Sequence, residues 1–462
     1  LKDLDDFMDV EHYLKEKISS LDIIKGLTKK QIRGDLYLVG GSIRELFLSS
    51  IPNDFDFAIT NEEDIKVFEE LLNSRAFILG KKPIHTFRIA KDDKNIDLTK
   101  IEKDIVDDLL RRDFTINAIA YDIKRGEILD PLKGLKDLKD KVIVHIKKKN
   151  LIKDPLRMLK AIRHFSTLDS FVIHDSLYRD ISELKGLIGH VAPERIKYEL
   201  DQIICSKNAF SSLKILDATG LIFEIFPELF VLKRFDDEKN LKPEVFGHTV
   251  HAFKYLYTYG NKYHMDKQSI KITGYALLFH DLGKPQTFTK DWEKNVIHFY
   301  YHERFSQDMA SSIMERMRFS VNEMRHIKNL IYNHMRIFLI STGETTERAI
   351  RRVIFKMGDL TPLLVLMTIC DMYGSSQGED NESTERVLGV CEDVLSMYKK
   401  FQEKPLPRLI TGHDIIGLGY KEGPEIGRIL ADIRERQISG EIKTRQEAIE
   451  YAMAMLKINV FH

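Results

Sequence analysis

Leu36-Tyr-Leu-Val-Gly-Gly-Ser-Ile-Arg44, followed by Pro52-Asn-Asp-Phe-Asp-Phe-Ala-Ile59, is the stretch on which the fold turns. Leu36–Val39 is a short apolar run ending at Gly40-Gly41, the pattern of a buried strand that enters a tight turn. A helix is predicted over Ser42–Ser49. Residues 54–59 then alternate polar and apolar, as a strand with one buried face does. A further helix, then strands at Phe87–Ile89 and Asn95–Leu98, complete a mixed α/β unit of about 110 residues, an ordinary domain size.

Alternation puts Asp54 and Asp56 on one strand face, about 7 Å apart along the chain. Carboxylates that close repel unless a cation lies between them. Mg²⁺ suits such a pair, because it takes one or two carboxylates plus phosphate oxygens and keeps waters. Two such ions can activate an attacking 3′-hydroxyl and steady a leaving pyrophosphate. Asp97, on the later strand, is a candidate third carboxylate. The glycines of Gly40-Gly41-Ser42 let backbone N–H groups approach a triphosphate at a helix start, and Arg44 can reach the same phosphates.

Working outward, helical periodicity dominates from Leu151 onward. The expected fold class is α+β, a small mixed α/β head followed by an all-helical neck, body and tail. The expected segments are 1–33 (N-terminal helix and linker), 34–140 (head), 141–235 (neck), 236–403 (helical body) and 404–462 (helical tail). Weak boundaries fall near residue 150, at Lys233–Lys242 and at Lys404-Pro-Leu-Pro407. The 462 residues exceed what one hydrophobic core organises. No leader and no membrane-spanning run are expected. Cys205, Cys370 and Cys391 lie far apart without a Cys-x-x-Cys, which argues against disulfides and thiolate zinc and for a reducing cytoplasm. The 71 basic and 71 acidic residues cancel, so a nucleic-acid partner needs a local basic surface, for which His145–Lys153 is the densest candidate.

Asp154-Pro-Leu-Arg157-Met-Leu-Lys160-Ala-Ile-Arg163 reads as a helix with a polar group at every third position, close to one face. Such a face can read a base without a template. A carboxylate accepts from the exocyclic amine of cytosine or adenine while a guanidinium donates to the neighbouring ring nitrogen. The competing reading is Asp154 as a helix N-cap before Pro155 with a solvated Arg/Lys face.

Leu38-Val-Gly-Gly-Ser-Ile-Arg44, Asp54-Phe-Asp56 and Arg111-Arg-Asp-Phe-Thr-Ile-Asn-Ala118 resemble the head motifs of the class II tRNA nucleotidyltransferase and bacterial poly(A) polymerase family, within the polymerase-β-like superfamily. The resemblance implies metal binding by Asp54 and Asp56 and triphosphate contacts by Gly41 and Arg44. It implies contacts from Arg112 to phosphate or ribose, with Asp113 and Asn117 holding the ribose and the head-to-neck junction. Arg44-Glu45 departs from the family's Arg-Asp. The family's neck motif, Glu-Asp-x-x-Arg-x-x-Arg-x-x-Arg-Phe, is matched approximately by Lys153–Phe165, which implies base selection by Asp154 and Arg157. Lys153 and Lys160 replace Glu and Arg, and His164 is read as an insertion before Phe165. Lys160 keeps charge but not the rigid fork.

His248, His280-Asp281 (followed by Leu-Gly-Lys284), His302, His334 and Asp371 resemble the set of HD-type phosphohydrolases. Imidazoles with carboxylates suit a divalent transition metal better than Mg²⁺. Leu409–Asp414 and Gly423–Gly427 resemble the tail of HD-containing tRNA nucleotidyltransferases.

The expected partners are the tRNA 3′ acceptor end and CTP, with ATP as the alternative second nucleotide. In CCA-adding relatives a flexible loop between the third-carboxylate strand and Arg-Arg-Asp helps reshape the pocket from CTP to ATP. Here only Lys103–Leu110 intervenes between Glu102 and Arg111, and it is helical in character. That resembles enzymes which stop after two cytidines. The alternatives are full CCA addition with another segment (Lys81–Phe87) in the loop's role, a poly(A) polymerase, and an HD phosphohydrolase with a regulatory head. The lack of a basic extension after Phe461-His462 weighs against the poly(A) polymerase.

Overall fold

The computed structural model describes residues 7–79, 86–92, 94–102, 104–239 and 244–459. Parts of the expectations therefore lie outside the described residues: 1–6 of the N-terminal segment, 80–85, 93 and 103 of the head (81–85 in the alternative loop, Lys103 in the short intervening segment), 240–243 of the body with 240–242 of one boundary, and 460–462 of the tail. The chain forms two compact units, Leu1–Ala192 with Ala218–Glu224, and Pro193–Asp217 with Ile225–His462.

The first unit begins with α1 (Phe7–Ser20) and α2 (Asp22–Leu27), then β1 (Leu36–Val39), α3 (Gly41–Phe47), β2 (Asp54–Ile59), α4 (Ile65–Leu72), β3 (Phe77–Leu79), β4 (Thr86–Lys91), β5 (Lys94–Lys100) and α5 (Ile105–Leu109). It continues with β6 (Ala120–Asp122), β7 (Glu127–Leu129), α6 (Gly134–Lys139), β8 (Val142–Ile143), α7 (Lys148–Lys153), α8 (Leu156–Thr167), β9 (Val172–Ile173) and α9 (Asp175–Leu184). Seven strands form one sheet in the order β3-β4-β5-β2-β1-β6-β7. Only β2 and β5 pair in parallel within it, in a register that sets Asp54 beside Asn95 and Asp56 beside Asp97. Phe55, Phe57, Ile96 and Leu98 alternate with these polar residues and are buried, which is why one face of β2 and β5 is free to carry chemistry.

The N-terminal segment is helical to Leu27 and then irregular over 28–35, and its helices are packed structure. Val10, Leu14 and Ile18 recur every fourth residue and are buried, and α1 and α2 lie on the head, so this apolar stripe needs the sheet to cover it. In the second unit α10 (Pro193–Ile204), α11 (Ala209–Ala218), α12 (Leu221–Ile225) and α13 (Pro227–Lys239) lead to α14 (Val245–Lys262), α15 (Lys267–Phe279) and α16 (Lys284–Thr287). Residues 218–224 of α11 and α12 pack with the first unit. Next, β10 (Phe288–Asp291) and β11 (Val296–Phe299) form a hairpin. That hairpin and the β8–β9 pair are short strands in a remainder that is largely helical among the described residues. Beyond it run α17 (His302–Arg316), α18 (Val321–Asn333), α19 (Met335–Ser341), α20 (Glu347–Met357), α21 (Thr361–Ser375), α22 (Glu382–Glu403), α23 (Gly412–Gly417), α24 (Pro424–Ile438) and α25 (Arg445–Asn459). Glu347–Ser375, which contains α20 and α21, is by length and composition apolar enough to cross a bilayer, but 72% of its apolar window is buried. It is the core of the helical body. All three cysteines are free.

Candidate active site

Gly40 ends β1 at φ +74°, a conformation that suits glycine. A Cβ there would come within 2.8 Å of the Arg112 guanidinium and 3.3 Å of an Asp56 oxygen. The missing side chain thus lets Arg112 stand over Asp56. Ser42 ties the start of α3 to β2, donating to the Asp54 carbonyl at 3.2 Å and accepting from the Asp56 N–H at 3.0 Å. Asp54 is exposed and accepts from the Asn95 side chain at 2.8 Å. Asp56 is more enclosed. Burial, with Asp97 and Asp54 adding, lifts its carboxyl to about 6 against the pull of Arg112 and Arg44. The negative charge packed there is what a bound cation would relieve. The paired oxygen donors, open to solvent at Asp54, fit Mg²⁺.

Asp97 stands opposite Asp56, but Arg88 on β4 grips both its oxygens at 2.7 Å. It is the least available of the three carboxylates. Arg44 is buried and donates to the Asn117 side chain. It is therefore committed to this buried network instead of lying open to solvent. Asn117 donates to Asp113 at 2.9 Å, and Asp113 also accepts from the Phe114 N–H at 2.9 Å. Arg112 is held by Asp108 of α5 at 2.9 and 3.0 Å, whereas Arg111 is exposed.

The neck helix α8 keeps Leu156, Met158, Leu159, Ala161 and Ile162 buried and leaves Asp154, Arg157, Lys160 and Arg163 half-buried. The three-residue spacing thus produces one stripe. Asp154 is extended at φ −138° and ψ 90°, and its carbonyl accepts from the Arg157 N–H at 3.1 Å, so it stands at the entrance of the helix with Pro155 already in helical conformation. Arg157 donates to the Arg112 carbonyl at 3.1 Å, and Asn150 donates to the same carbonyl at 2.8 Å. These bonds fix the stripe against the head.

Sequence reasoning missed His164. It sits on the inner face of α8, completely buried, edge-on to Phe114 at 5.5 Å. Its Nε2 faces the Asn117 amide at 3.5 Å and an Arg163 N–H at 3.2 Å. Burial and the charges of Arg163, Arg44 and Lys160 hold it neutral. The only signal was helical periodicity, which puts position 164 with the apolar residues. The basic stretch His145–Lys153 is also less open than expected. His145 pairs with Asp180 at 2.8 Å, and Lys148 with Asp180 and Glu183 at 3.1 and 2.5 Å.

In the second unit His248, His280, Asp281, His302, His334 and Asp371 converge and are all buried. Each imidazole donates its Nδ1–H to a backbone carbonyl: His248 to Glu244, His280 to Leu277, His302 to Phe299 and His334 to Ile331, at 2.7–3.3 Å. This fixes the tautomer and turns every Nε2 inward. His248 and His280 Nε2 are 3.4 Å apart, His302 and His334 Nε2 3.1 Å apart. Asp281 lies 3.0–3.4 Å from the Nε2 atoms of His248, His280 and His302, with Lys284 at 2.6 Å. Burial opposes charge on His280, but Asp281 and Asp371 overcome it and push the group to about 10. Burial with neighbouring His280 and His302 pushes His334 down to about 3. Two ligand groups fit an ion, His248/His280/Asp371 and His280/Asp281/His334. A cavity of about 530 Å³ reaches His248, lined among others by Phe210, Phe246 and His251.

Comparison with known proteins gives the family. Residues 36–144 match the poly A polymerase head domain, 170–232 the "Probable RNA and SrmB-binding site of polymerase A", and 245–374 the HD domain. A CC-adding tRNA nucleotidyltransferase of Thermus thermophilus is 30% identical over 425 residues, covering 90% of this chain and 92% of that protein. An A-adding tRNA nucleotidyltransferase of Deinococcus radiodurans is 28% identical, covering 89% and 93%. In fold, the chain resembles a Thermotoga maritima CCA-adding enzyme complexed with tRNA, with a TM-score of 0.66, 20% identity and 97% and 98% coverage. The chain belongs to the class II tRNA nucleotidyltransferase and poly(A) polymerase family, in its HD-domain-bearing form.

Proposed function

We propose that this nucleotidyltransferase adds two cytidines from CTP to the 3′ end of tRNA and stops there. The carrying observation is α5. The segment that would have to be a mobile loop is a five-residue helix. Its Ile105 and Leu109 are buried, with Ile101, in one cluster with Val39, Ala58 and Ala118. A segment held by that apolar contact resists swinging, and its Asp108 holds Arg112. A pocket that cannot rearrange keeps the pyrimidine and fits the larger purine badly. The 30% identity to a CC-adding relative supports the same reading, whereas the 28% identity to an A-adding one shows how narrow that margin is.

In this reading Asp54 and Asp56 hold Mg²⁺, which supplies charge neutralisation at the attacking and leaving oxygens. Gly40 leaves room for the triphosphate and for Arg112. Arg112, braced by Asp108, meets phosphate or ribose. Asp154 accepts from the cytosine amine, and Arg157 directs its remaining N–H groups at the ring nitrogen. The Arg44–Asn117–Asp113 network keeps the pocket wall rigid beneath the ribose. The buried histidine–aspartate set of the second unit holds a divalent transition metal, on the strength of its inward Nε2 atoms.

The deciding experiment incubates the protein with tRNA transcripts ending at the discriminator base, at C and at CC, each with labelled CTP or ATP. Two cytidines on the first transcript and no adenosine on the third is the expected result. Efficient ATP incorporation on the CC-ended transcript makes the enzyme a full CCA-adding one. Failure with all three overturns the substrate assignment.

A further inference from the structure

The β10–β11 hairpin has two kinds of aromatic residue. Phe288 and Phe299 face each other at 6.0 Å and pack on Phe235 at 5.5 and 6.4 Å. They anchor the hairpin. The others point away from any core. Trp292, the single tryptophan of the chain, is 81% exposed at the hairpin turn. Tyr300 and Tyr301, just beyond β11, are 61% and 63% exposed. Tyr300 stacks on His298 with ring centroids 5.0 Å apart and planes only 16° from parallel.

Two observations separate this surface from incidental exposure. First, the outward rings carry cations. The Lys290 ammonium lies 4.5 Å from the Trp292 centroid and the Arg304 guanidinium 5.0 Å from that of Tyr301. Second, Tyr301 adopts φ +62°, a left-handed conformation that costs a bulky residue on the order of 1–2 kcal/mol. The residue stays 63% exposed, so burial in the core is not what holds it there.

We propose that this hairpin is a stacking surface for unpaired nucleobases of the RNA substrate, with Trp292, Tyr300 and Tyr301 taking base faces and Lys290 and Arg304 the adjoining phosphates. A flat ring beside a cation complements a nucleotide, which joins a π-face to an anion. The hairpin and the start of α17 also expose Val296, Ile297 and Phe305 and carry Glu293 beside Lys294, so what favours a nucleotide over a protein partner is the pairing of a cation with a ring face at Trp292 and at Tyr301. The inference rests on RNA being the substrate, but not on which nucleotide is added.

The single tryptophan makes the test direct. Excitation at the red edge of the indole band, beyond the absorption of the 17 tyrosines, reports Trp292 alone. On saturation with a tRNA transcript, emission is expected to fall and acrylamide quenching to weaken severalfold, with CTP addition followed in the same sample. Trp292→Ala and Tyr301→Ala should each weaken tRNA binding roughly 5- to 100-fold, while the rate of cytidine addition at saturating tRNA is unchanged, and Trp292→Phe should restore most of the affinity. Unaltered emission and quenching with tRNA bound overturn the proposal, whether or not cytidine is added. Equal protection by a blunt duplex, or by CMP alone, overturns it as well. Protection by tRNA without any nucleotide addition leaves the surface standing and removes the assigned reaction instead.

Discussion

Asp56 and Asp97 face each other across two strands, but their surroundings divide the work between them. Asp97 has its charge matched by the two-pronged grip of Arg88, and a cation would have to compete with that guanidinium. Asp56 lacks such a partner and feels both neighbouring carboxylates. Asp54→Ala and Asp56→Ala should therefore each lower the rate of addition at least about 100- to 1,000-fold. Asp97→Ala should cost less, roughly tenfold, because its oxygens are already committed. Equal losses in single-turnover assays of all three would return Asp97 to the metal site. His164 gives a second residue-scale test. Its Nε2 accepts from the Asn117 amide and Arg163, so it couples the pocket wall to the last arginine of the base-reading stripe without touching nucleotide. His164→Phe preserves the ring against Phe114 and removes the acceptor. The expected result is a rise in KM for CTP of about three- to tenfold with kcat nearly intact, and partial rescue by His164→Asn. A parallel fall in kcat would place the imidazole nearer the chemistry.

At the scale of elements, what was legible followed from strong periodicity. The strand–turn–helix at Leu36–Phe47, the alternation of β2 and the three-residue stripe of α8 all stand where the sequence puts them. What was hidden had weak local signals or remote partners. β6 and β7 have three residues each, too few for alternation to register. The hairpin strands have four each and lie among helices. The stripe of α1 was read as polar because charged residues outnumber Val10, Leu14 and Ile18 locally. No spacing rule reveals that Arg44 meets Asn117, 73 positions away, or that Arg88 meets Asp97. The histidine–aspartate set was visible as residue types, but its convergence depends on α14, α15, α17, α18 and α21 packing together. The inward Nε2 atoms give this element-scale prediction: purified protein should carry a divalent transition metal, and the His280→Ala/Asp281→Ala double variant should lose it while keeping nucleotide addition by the head. Equal metal content in both proteins, measured by mass spectrometry, would make the set a scaffold.

On the scale of the whole molecule, 71 positive and 71 negative residues leave no net field to draw in RNA. Charge is spent locally, and one buried group shows how. Glu323, on α18, is 8% exposed. It meets Lys271 at 2.6 Å and Lys197 at 3.3 Å, and completes a capping box with Ser320. Asp201 joins both lysines and accepts from the Tyr275 hydroxyl at 2.8 Å, so α10, α15 and α18 are tied together. Burial raises the Glu323 carboxyl, but Lys271, Ser320 and Lys197 outweigh it and bring the group to about 2, from an ordinary 4.5. A carboxyl depressed on folding adds stability that is complete above its unfolded value and disappears as pH falls through the folded one. The window here runs from about 4.5 down to about 2, and the full effect is on the order of 3 kcal/mol. Glu323→Gln should thus destabilise the helical body by roughly 2–4 kcal/mol at pH 7, seen as a lower urea midpoint. The gap to the parent protein should be nearly constant from pH 7 to pH 5 and shrink by about half near pH 3. A gap that stays constant down to pH 3 would mean that shape, and not charge, is what Glu323 contributes to this junction.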